Sequence, residues 1–230
     1  LAKPFIPTSI MDGGNFLTDG HGRLICDHNS TNIDQTLFGI NDLVPVANYK
    51  LHIDYYMKLI NEETFVVNDI PAANHLAGLD TFFGDSAVIE GAISVMKQRQ
   101  SCYGRPYKFV KLRTAPSYNQ NGLSYLTSEA GYTNSLILNH TVLVPTYDNP
   151  ATDTVALNTY RRLMPGYRIV GIQAKYYAAR QGAIHCITKE LPADNPLYIS
   201  HRWLPDTTQN DGSPYQIKAY IASPPGVSHA

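Results

Sequence analysis

Gly182-Ala183-Ile184-His185-Cys186-Ile187-Thr188 places a cysteine directly after a histidine, behind a turn-forming glycine, in a chain with three cysteines in all. A cysteine in that setting points to nucleophilic chemistry, because the thiolate is the attacking species and needs a local environment to form. Far upstream, His52-Ile53-Asp54 supplies a proton carrier and a carboxylate. If 51–57 runs as a strand, residues two apart project to one face, and His52 and Asp54 are expected side by side. A cysteine, a histidine and a carboxylate, distant in sequence, form the set that covalent thiol catalysis uses. A carboxylate beside the nucleophile, with no second base, suits a cationic substrate. On the same strand geometry, His185 is expected to face away from Cys186 and to serve structure.

Two further stretches extend the pattern: Asp12-Gly13-Gly14-Asn15-Phe16 followed by Asp19-Gly20, and Tyr132-Thr133-Asn134-Ser135-Leu136-Ile137-Leu138-Asn139. A lone His-x-Asp or His-Cys pair recurs by chance, so the order of all these stretches carries the signal. In that order the chain resembles the bacterial-type peptidylarginine deiminase and agmatine deiminase family of the guanidino-group-modifying pentein superfamily. The resemblance implies an α/β pentein fold, a propeller of ββαβ modules around a central site. It also implies that the propeller is incomplete here, with the missing modules ahead of Leu1.

The implied reaction is hydrolytic deimination of arginine guanidinium groups in peptides or proteins, giving citrulline and ammonia through a covalent thiouronium on Cys186. In that scheme His52 is the general acid and base, and Asp54 a charge-assisted clamp on the guanidinium. Asn134 hydrogen-bonds near the reacting centre, Gly13 and Gly14 line the substrate pocket with Asp54 and Asn134, and Asp12 reaches the substrate. No cofactor and no metal are expected. Each residue also has a plainer reading: an inert thiol, a core histidine, an aspartate meeting Lys58, an Asx turn at Asn134 and a tight glycine turn.

The Tyr132–Asn139 run and the tail after Pro196 favour the peptidylarginine branch. The alternatives are an agmatine or free-arginine deiminase, or a non-catalytic module that binds arginine. The family's first clamp carboxylate, in an Arg-Asp-x-Gly-Pro stretch, has no counterpart in the chain. A companion chain or an upstream segment is therefore expected to supply it. A secreted or cell-surface location is expected, although no signal peptide is visible.

A net charge of −1 gives no basic field for nucleic acid or anionic membranes, and no apolar run is long enough to span a bilayer. Sixteen tyrosines suit strand-rich structure with polar-aromatic surfaces. Cys26 and Cys102 remain open between a disulfide and two unrelated thiols. His21, His28, His75, His140, His201 and His229 show no metal-ligand spacing, and the aspartates at 148, 153 and 206–211 show no EF-hand pattern.

Along the chain, a hairpin is expected at 15–27 and a capped helix at 33–43, opened by Ser30-Thr31-Asn32. Paired strands follow at 51–59 and 64–67, then a helix at 85–103 and a strand at 109–113. A hairpin at 135–138 and 141–144 turns on Asn139-His140. A helix at 152–163 stops at Pro165-Gly166 and leads to a strand at 168–172. The recurring unit is strand, strand, helix, strand. Residues 1–195 are expected to form the partial pentein domain. Residues 196–230, with strands at 197–200 and 215–221 around a polar turn-rich stretch, are expected to open an immunoglobulin-like β-sandwich.

Overall fold

The computed structural model describes residues 13–27, 31, 33–36, 38–46, 52–74, 82–191, 194–202, 204 and 212–226, with backbone alone for 82–85. Asp12, Ser30, Asn32, Leu51 and the polar stretch 205–211 lie outside the described residues. The chain divides into two compact units, Leu1–Thr188 and Lys189–Ala230.

In the larger unit the alternating apolar stretches build three sheets of one topology. A 3₁₀ turn at Gly13–Asn15 leads into β1 (Phe16–Thr18), which pairs antiparallel with β2 (Arg23–Asp27), placing Phe16 opposite Cys26. The turn between them is closed by Asp19, whose Oδ1 accepts from the His21 amide at 2.8 Å and the Arg23 amide at 3.1 Å. β2 then pairs parallel with β3 (Asp42–Val46). The segment before β3 differs from the expected capped helix. Its described residues form turns, and residues 42–46 bury Val44 and Val46 alternately, a strand period. The Asn41 amide donates to the Gly22 carbonyl at 2.9 Å, which draws the chain onto the hairpin at the point where a helix would carry it away.

A four-residue helix, α1 (Ile53–Tyr56), precedes β4 (Met57–Asn61). β4 pairs antiparallel with β5 (Thr64–Asp69), α2 (Phe82–Lys97) crosses over, and β6 (Lys108–Arg113) pairs parallel with β5. Residues 53–56 are therefore helical rather than extended, and the strand begins only at Met57. Ile53, Asp54, Tyr55 and Tyr56 are all buried, with none of the alternation a half-covered strand shows. Helix α2 also stops well before residue 103. There the chain turns through Gly104 (φ 73°) and is pinned by Glu63, which accepts from Ser101 Oγ and pairs with Arg105.

After the small hairpin of β7 (Tyr118–Gln120) and β8 (Leu123–Tyr125), the third sheet repeats the plan. β9 (Leu136–Leu138) turns at Asn139, in the left-handed region at φ 51°, into antiparallel β10 (Thr141–Thr146). Helix α3 (Pro150–Leu163) crosses to β11 (Arg168–Gln173), which pairs parallel with β10. Asn149 caps α3 by accepting from the Thr152 amide at 3.2 Å, and Pro150 sits where a missing N–H costs nothing. A short helix, α4 (Lys175–Ala178), leads to the Cys186 segment. The smaller unit contains one antiparallel pair, β12 (Tyr198–His201) and β13 (Ala219–Ala222), with Ile199 opposite Ile221.

Three of the tyrosines lie in the core of the third sheet rather than at a surface. Tyr132, Tyr147 and Tyr160 are among the largest fully buried side chains. Each hydroxyl is satisfied, as burial demands. Tyr147 donates to the Gly131 carbonyl at 2.9 Å, and Tyr160 to the Tyr132 carbonyl at 3.0 Å while meeting Ser135 Oγ at 2.9 Å. Tyr132 donates to Asp153 Oδ1 at 2.8 Å. These rings and hydroxyls fix the turn at 131–135 that precedes β9. Tyr160→Phe removes one hydroxyl and strands the Tyr132 carbonyl in the core. It is expected to cost about 1–3 kcal/mol of stability. Urea unfolding would show this as a lowered midpoint, and an unchanged midpoint would mean the hydroxyl carries no structural weight.

Candidate active site

The candidate residues arrive on separate pieces of chain. His52 is the N-cap residue of α1, and Asp54 lies in the helix's first turn. Asn134 belongs to the tyrosine-backed segment before β9. Cys186 is the middle residue of a 3₁₀ turn, His185–Ile187. That turn is docked onto Asn134: the His185 amide donates to the Asn134 carbonyl at 3.1 Å, and the Cys186 amide to Asn134 Oδ1 at 3.3 Å. Gly182 packs closely beneath the turn, where a Cβ on it would sit 3.3 Å from Cys186 Cβ.

Cys186, Asp54 and Asn134 are brought together. Asn134 Nδ2 donates to the sulfur at 3.1 Å, and the thiol points at Asp54 Oδ2 at 3.5 Å. Asn134, 1% exposed, uses both ends of its amide on Cys186 and forms no Asx turn. Asp54 is fully buried, and its Oδ2 also meets His185 Nδ1 at 2.7 Å. With Asp54 ionised, Nδ1 carries the proton and donates. Asp54 Oδ1 is buried with no partner.

His185 thus corrects its expected place. A 3₁₀ turn rotates successive side chains by about 120°, where a strand rotates them by about 180°. His185 and Cys186 therefore both reach Asp54. The same contact leaves Asp54 Oδ1 as the carboxylate oxygen without a partner.

His52 is half-buried and is backed by Gly14. A Cβ on Gly14 would lie 2.5 Å from His52 Nδ1, so only glycine lets the ring sit there. Gly13 makes no such approach, as its Cβ would meet nothing within 4 Å. Both glycines do form the turn that enters the β1–β2 hairpin. The His52 ring packs edge-on against Tyr55, with centroids 6.5 Å apart.

Several residues at the site have no spacing signal in the sequence. The Tyr55 carbonyl accepts from Thr133 Oγ1 at 2.6 Å and from Asn68 Nδ2 at 2.7 Å, all buried. The Tyr55 hydroxyl lies beside the Cys186 thiol, buried and without a hydrogen bond. Gly131 is required behind this junction, since a Cβ there would fall 2.6 Å from the Tyr55 carbonyl oxygen. Cys26 and Cys102 are free thiols and form no disulfide. Among the described residues no cluster of three or more His, Cys, Asp or Glu is placed to hold a metal ion, and no helix is long and apolar enough to cross a membrane.

One side of Cys186 is open to solvent, yet the protein packed around the sulfur penalises its charged form. Burial first, and the Asp54 carboxylate second, push the thiol up to about 11, against opposing hydrogen bonds from the Ala183 backbone and Asn134. The resting thiol is therefore neutral near pH 7 and ionises only in alkali. Alkylation of Cys186 by iodoacetamide, read at the peptide level, is expected to rise steeply towards that pH. Asp54→Asn removes the repelling charge, so it is expected to move the inflection downward and speed alkylation at neutral pH. An unmoved inflection would show that Asp54 does not act on the sulfur.

A family model described as Porphyromonas-type peptidyl-arginine deiminase matches residues 40–192. A relative from Yersinia pseudotuberculosis, provisionally named agmatine deiminase, is 34% identical over 116 residues, covering 44% of this chain and 32% of its own. A Marinomonas relative under the same provisional name is 25% identical over 218 residues, covering 80% of this chain and 57% of its own. Among solved structures, a Porphyromonas gingivalis protein provisionally described as an arginine deiminase superposes with TM-score 0.61 at 24% identity, covering 76% of this chain and 55% of that one. The agmatine deiminase of Enterococcus faecalis superposes with TM-score 0.58 at 19% identity, covering 77% and 56%. The chain thus spans about half the length of the solved relatives it matches, and the likeness sets its fold among the α/β pentein-type deiminases. Since the family model covers more than half of the residues, this chain belongs to the Porphyromonas-type peptidyl-arginine deiminase family of guanidino-modifying deiminases.

Proposed function

We propose that the chain carries the catalytic centre of a hydrolytic deiminase acting on a small guanidinium compound of the agmatine or free-arginine kind. The observation that carries this reading is the unpartnered, buried oxygen of Asp54 beside the Cys186 thiol. A buried carboxylate oxygen without a donor is costly, and a cation arriving with N–H groups relieves it. The names of the Yersinia and Marinomonas relatives favour the small substrate over the peptide substrate expected from the sequence. Peptidyl arginine is the second reading, supported by the description of the matching family model.

The reaction follows from the placement of charges. Binding a guanidinium against Asp54 Oδ1 neutralises the carboxylate that holds the thiol protonated. Cys186 then ionises, its proton passing to His52, and Asn134 Nδ2 donates to the thiolate. The sulfur attacks the guanidinium carbon and forms a C–S bond. The tetrahedral adduct breaks a C–N bond, and His52 donates the proton with which ammonia departs. Water adds to the thiouronium, and His52 takes its proton. The C–S bond breaks, His52 returns its proton to the sulfur, and a ureido product leaves as the second proton of the added water is lost to solvent. His185 holds Asp54 Oδ2 throughout, so the carboxylate meets the substrate through one fixed oxygen.

The N–H donors left over on the guanidinium call for a second carboxylate, which we assign to a companion segment of polypeptide. We read the three sheets of shared topology as blades of an incomplete pentein propeller spanning 1–195. The β12–β13 pair then opens an immunoglobulin-like sandwich in 196–230. Native mass spectrometry of material from its source tests the companion, with an active lone chain as the opposing result.

Ammonia release from agmatine, free arginine and an arginine peptide compares the substrates directly. The highest kcat/KM is expected for a small guanidinium, and a preference for the peptide would reverse the two readings. Cys186→Ala is expected to abolish release while retaining ligand binding. His52→Gln is expected to lower kcat by about 10²–10⁴-fold with KM little changed, whereas Asp54→Asn weakens binding and rate together. Ligand binding without ammonia release by the unaltered protein would make it a non-catalytic guanidinium module.

A further inference from the structure

We propose that Tyr55 is a thiolate-stabilising residue: its phenol donates a hydrogen bond to the Cys186 sulfur once the thiol has ionised. The Tyr55 hydroxyl is buried, has no hydrogen-bond partner, and lies beside Cys186. An unpaired hydroxyl in that position costs stability in the resting protein. The nearby acceptor that gains strength during reaction is the sulfur, because a thiolate accepts far better than a thiol.

The backbone leaves the ring little freedom to go elsewhere. The Tyr55 carbonyl is held by Thr133 Oγ1 and Asn68 Nδ2, and the ring is packed edge-on against His52. One side chain therefore touches the proposed base through its face or edge and the proposed nucleophile through its tip. Asp54, Glu129 and Cys186 surround the phenol, and burial together with these groups raises its pKa, so it stays protonated and remains a donor. The sulfur in turn faces Asp54, which also holds His185, and Asn134. Among the described residues Asn134 supplies the side-chain donor to the neutral thiol, and Tyr55 adds a second when charge appears.

The inference deepens the proposed reaction and rests on it for its role in turnover, but its test does not need turnover. Iodoacetamide alkylation of Cys186 forms an S–C bond, breaks C–I with loss of iodide, and releases the thiol proton to solvent. Its rate against pH, read by peptide mass spectrometry on the whole chain, reports the thiol pKa directly. Tyr55→Phe keeps the ring and removes one oxygen. It is expected to raise the inflection by about one unit, a tenfold loss of thiolate at fixed pH. 3-Fluorotyrosine at position 55, a stronger donor of nearly the same size, is expected to lower the inflection, which a purely packing role would not do. With a small guanidinium as substrate, Tyr55→Phe is further expected to lower kcat about tenfold with KM little changed. Inflections that fail to move, or that move alike for both variants, would overturn the proposal. Opposed shifts in a protein that releases no ammonia would uphold the Tyr55–sulfur bond and reject the deiminase reading alone.

Discussion

The Tyr55 carbonyl, held at once by Thr133 Oγ1 and Asn68 Nδ2, is the joint on which the candidate site depends. Thr133 belongs to the segment feeding the third sheet, and Asn68 to β5 of the second. Their shared acceptor is in α1, the helix that carries Asp54 and is capped by His52. In a buried setting such bonds are costly to break, because each polar group would be left unsatisfied. Gly131 is the steric condition for the joint, since any side chain there would collide with the Tyr55 oxygen and Asn68. The neighbouring residue Asn134 then docks the Cys186 turn through its main chain and side chain together. The distance from carboxylate to sulfur is thus set by residues that need never touch a substrate.

Behind that joint stands an unusually polar core. Tyr132, Tyr147 and Tyr160 combine large buried rings with hydroxyls spent on the backbone of 131–132 and on Asp153 and Ser135. Aliphatic residues of similar volume would fill the space equally well but would leave the Gly131 and Tyr132 carbonyls unanswered. The turn before β9 lies outside the strand ladders, and tyrosine hydroxyls serve its carbonyls instead. Rigid support beneath reacting groups is what holds them within the narrow geometry that chemistry needs.

The electrostatics of the centre favour a site that is inactive until filled. Burial and Asp54 together keep the Cys186 thiol protonated, and the same Asp54 presents an unsatisfied oxygen to an incoming cation. In the proposed reaction the ligand that neutralises Asp54 also releases the thiolate. A nucleophile held neutral in the empty site is protected from oxidants and stray electrophiles, which react with thiolates far faster than with thiols. His185 fixes which oxygen of Asp54 plays which part.

Much was legible in the sequence alone. The hairpin at Asp19-Gly20, the turn at Asn139-His140 and the helix stop at Pro165-Gly166 are local signals. A few neighbouring residues decide each of them, and each matches the structure. The order of strand, strand, helix and strand also holds in the second and third sheets, whose apolar periods are written along the chain, while the described residues before β3 form turns in place of the helix. The quoted motifs also named Cys186, His52, Asp54 and Asn134, three of which meet at one sulfur. What failed was decided by partners distant in sequence. The 53–56 segment became a helix because its four residues are buried on every side and its carbonyl is taken by Thr133 and Asn68. His185 turned towards Asp54 because a 3₁₀ turn, docked on Asn134, replaced a strand. Tyr55, Asn68 and Gly131 carry no motif, since their roles consist of contacts 13 to 78 residues away along the chain. Local pattern specified which residues were chemically able, and only long-range packing in the tertiary structure decided which atoms face each other.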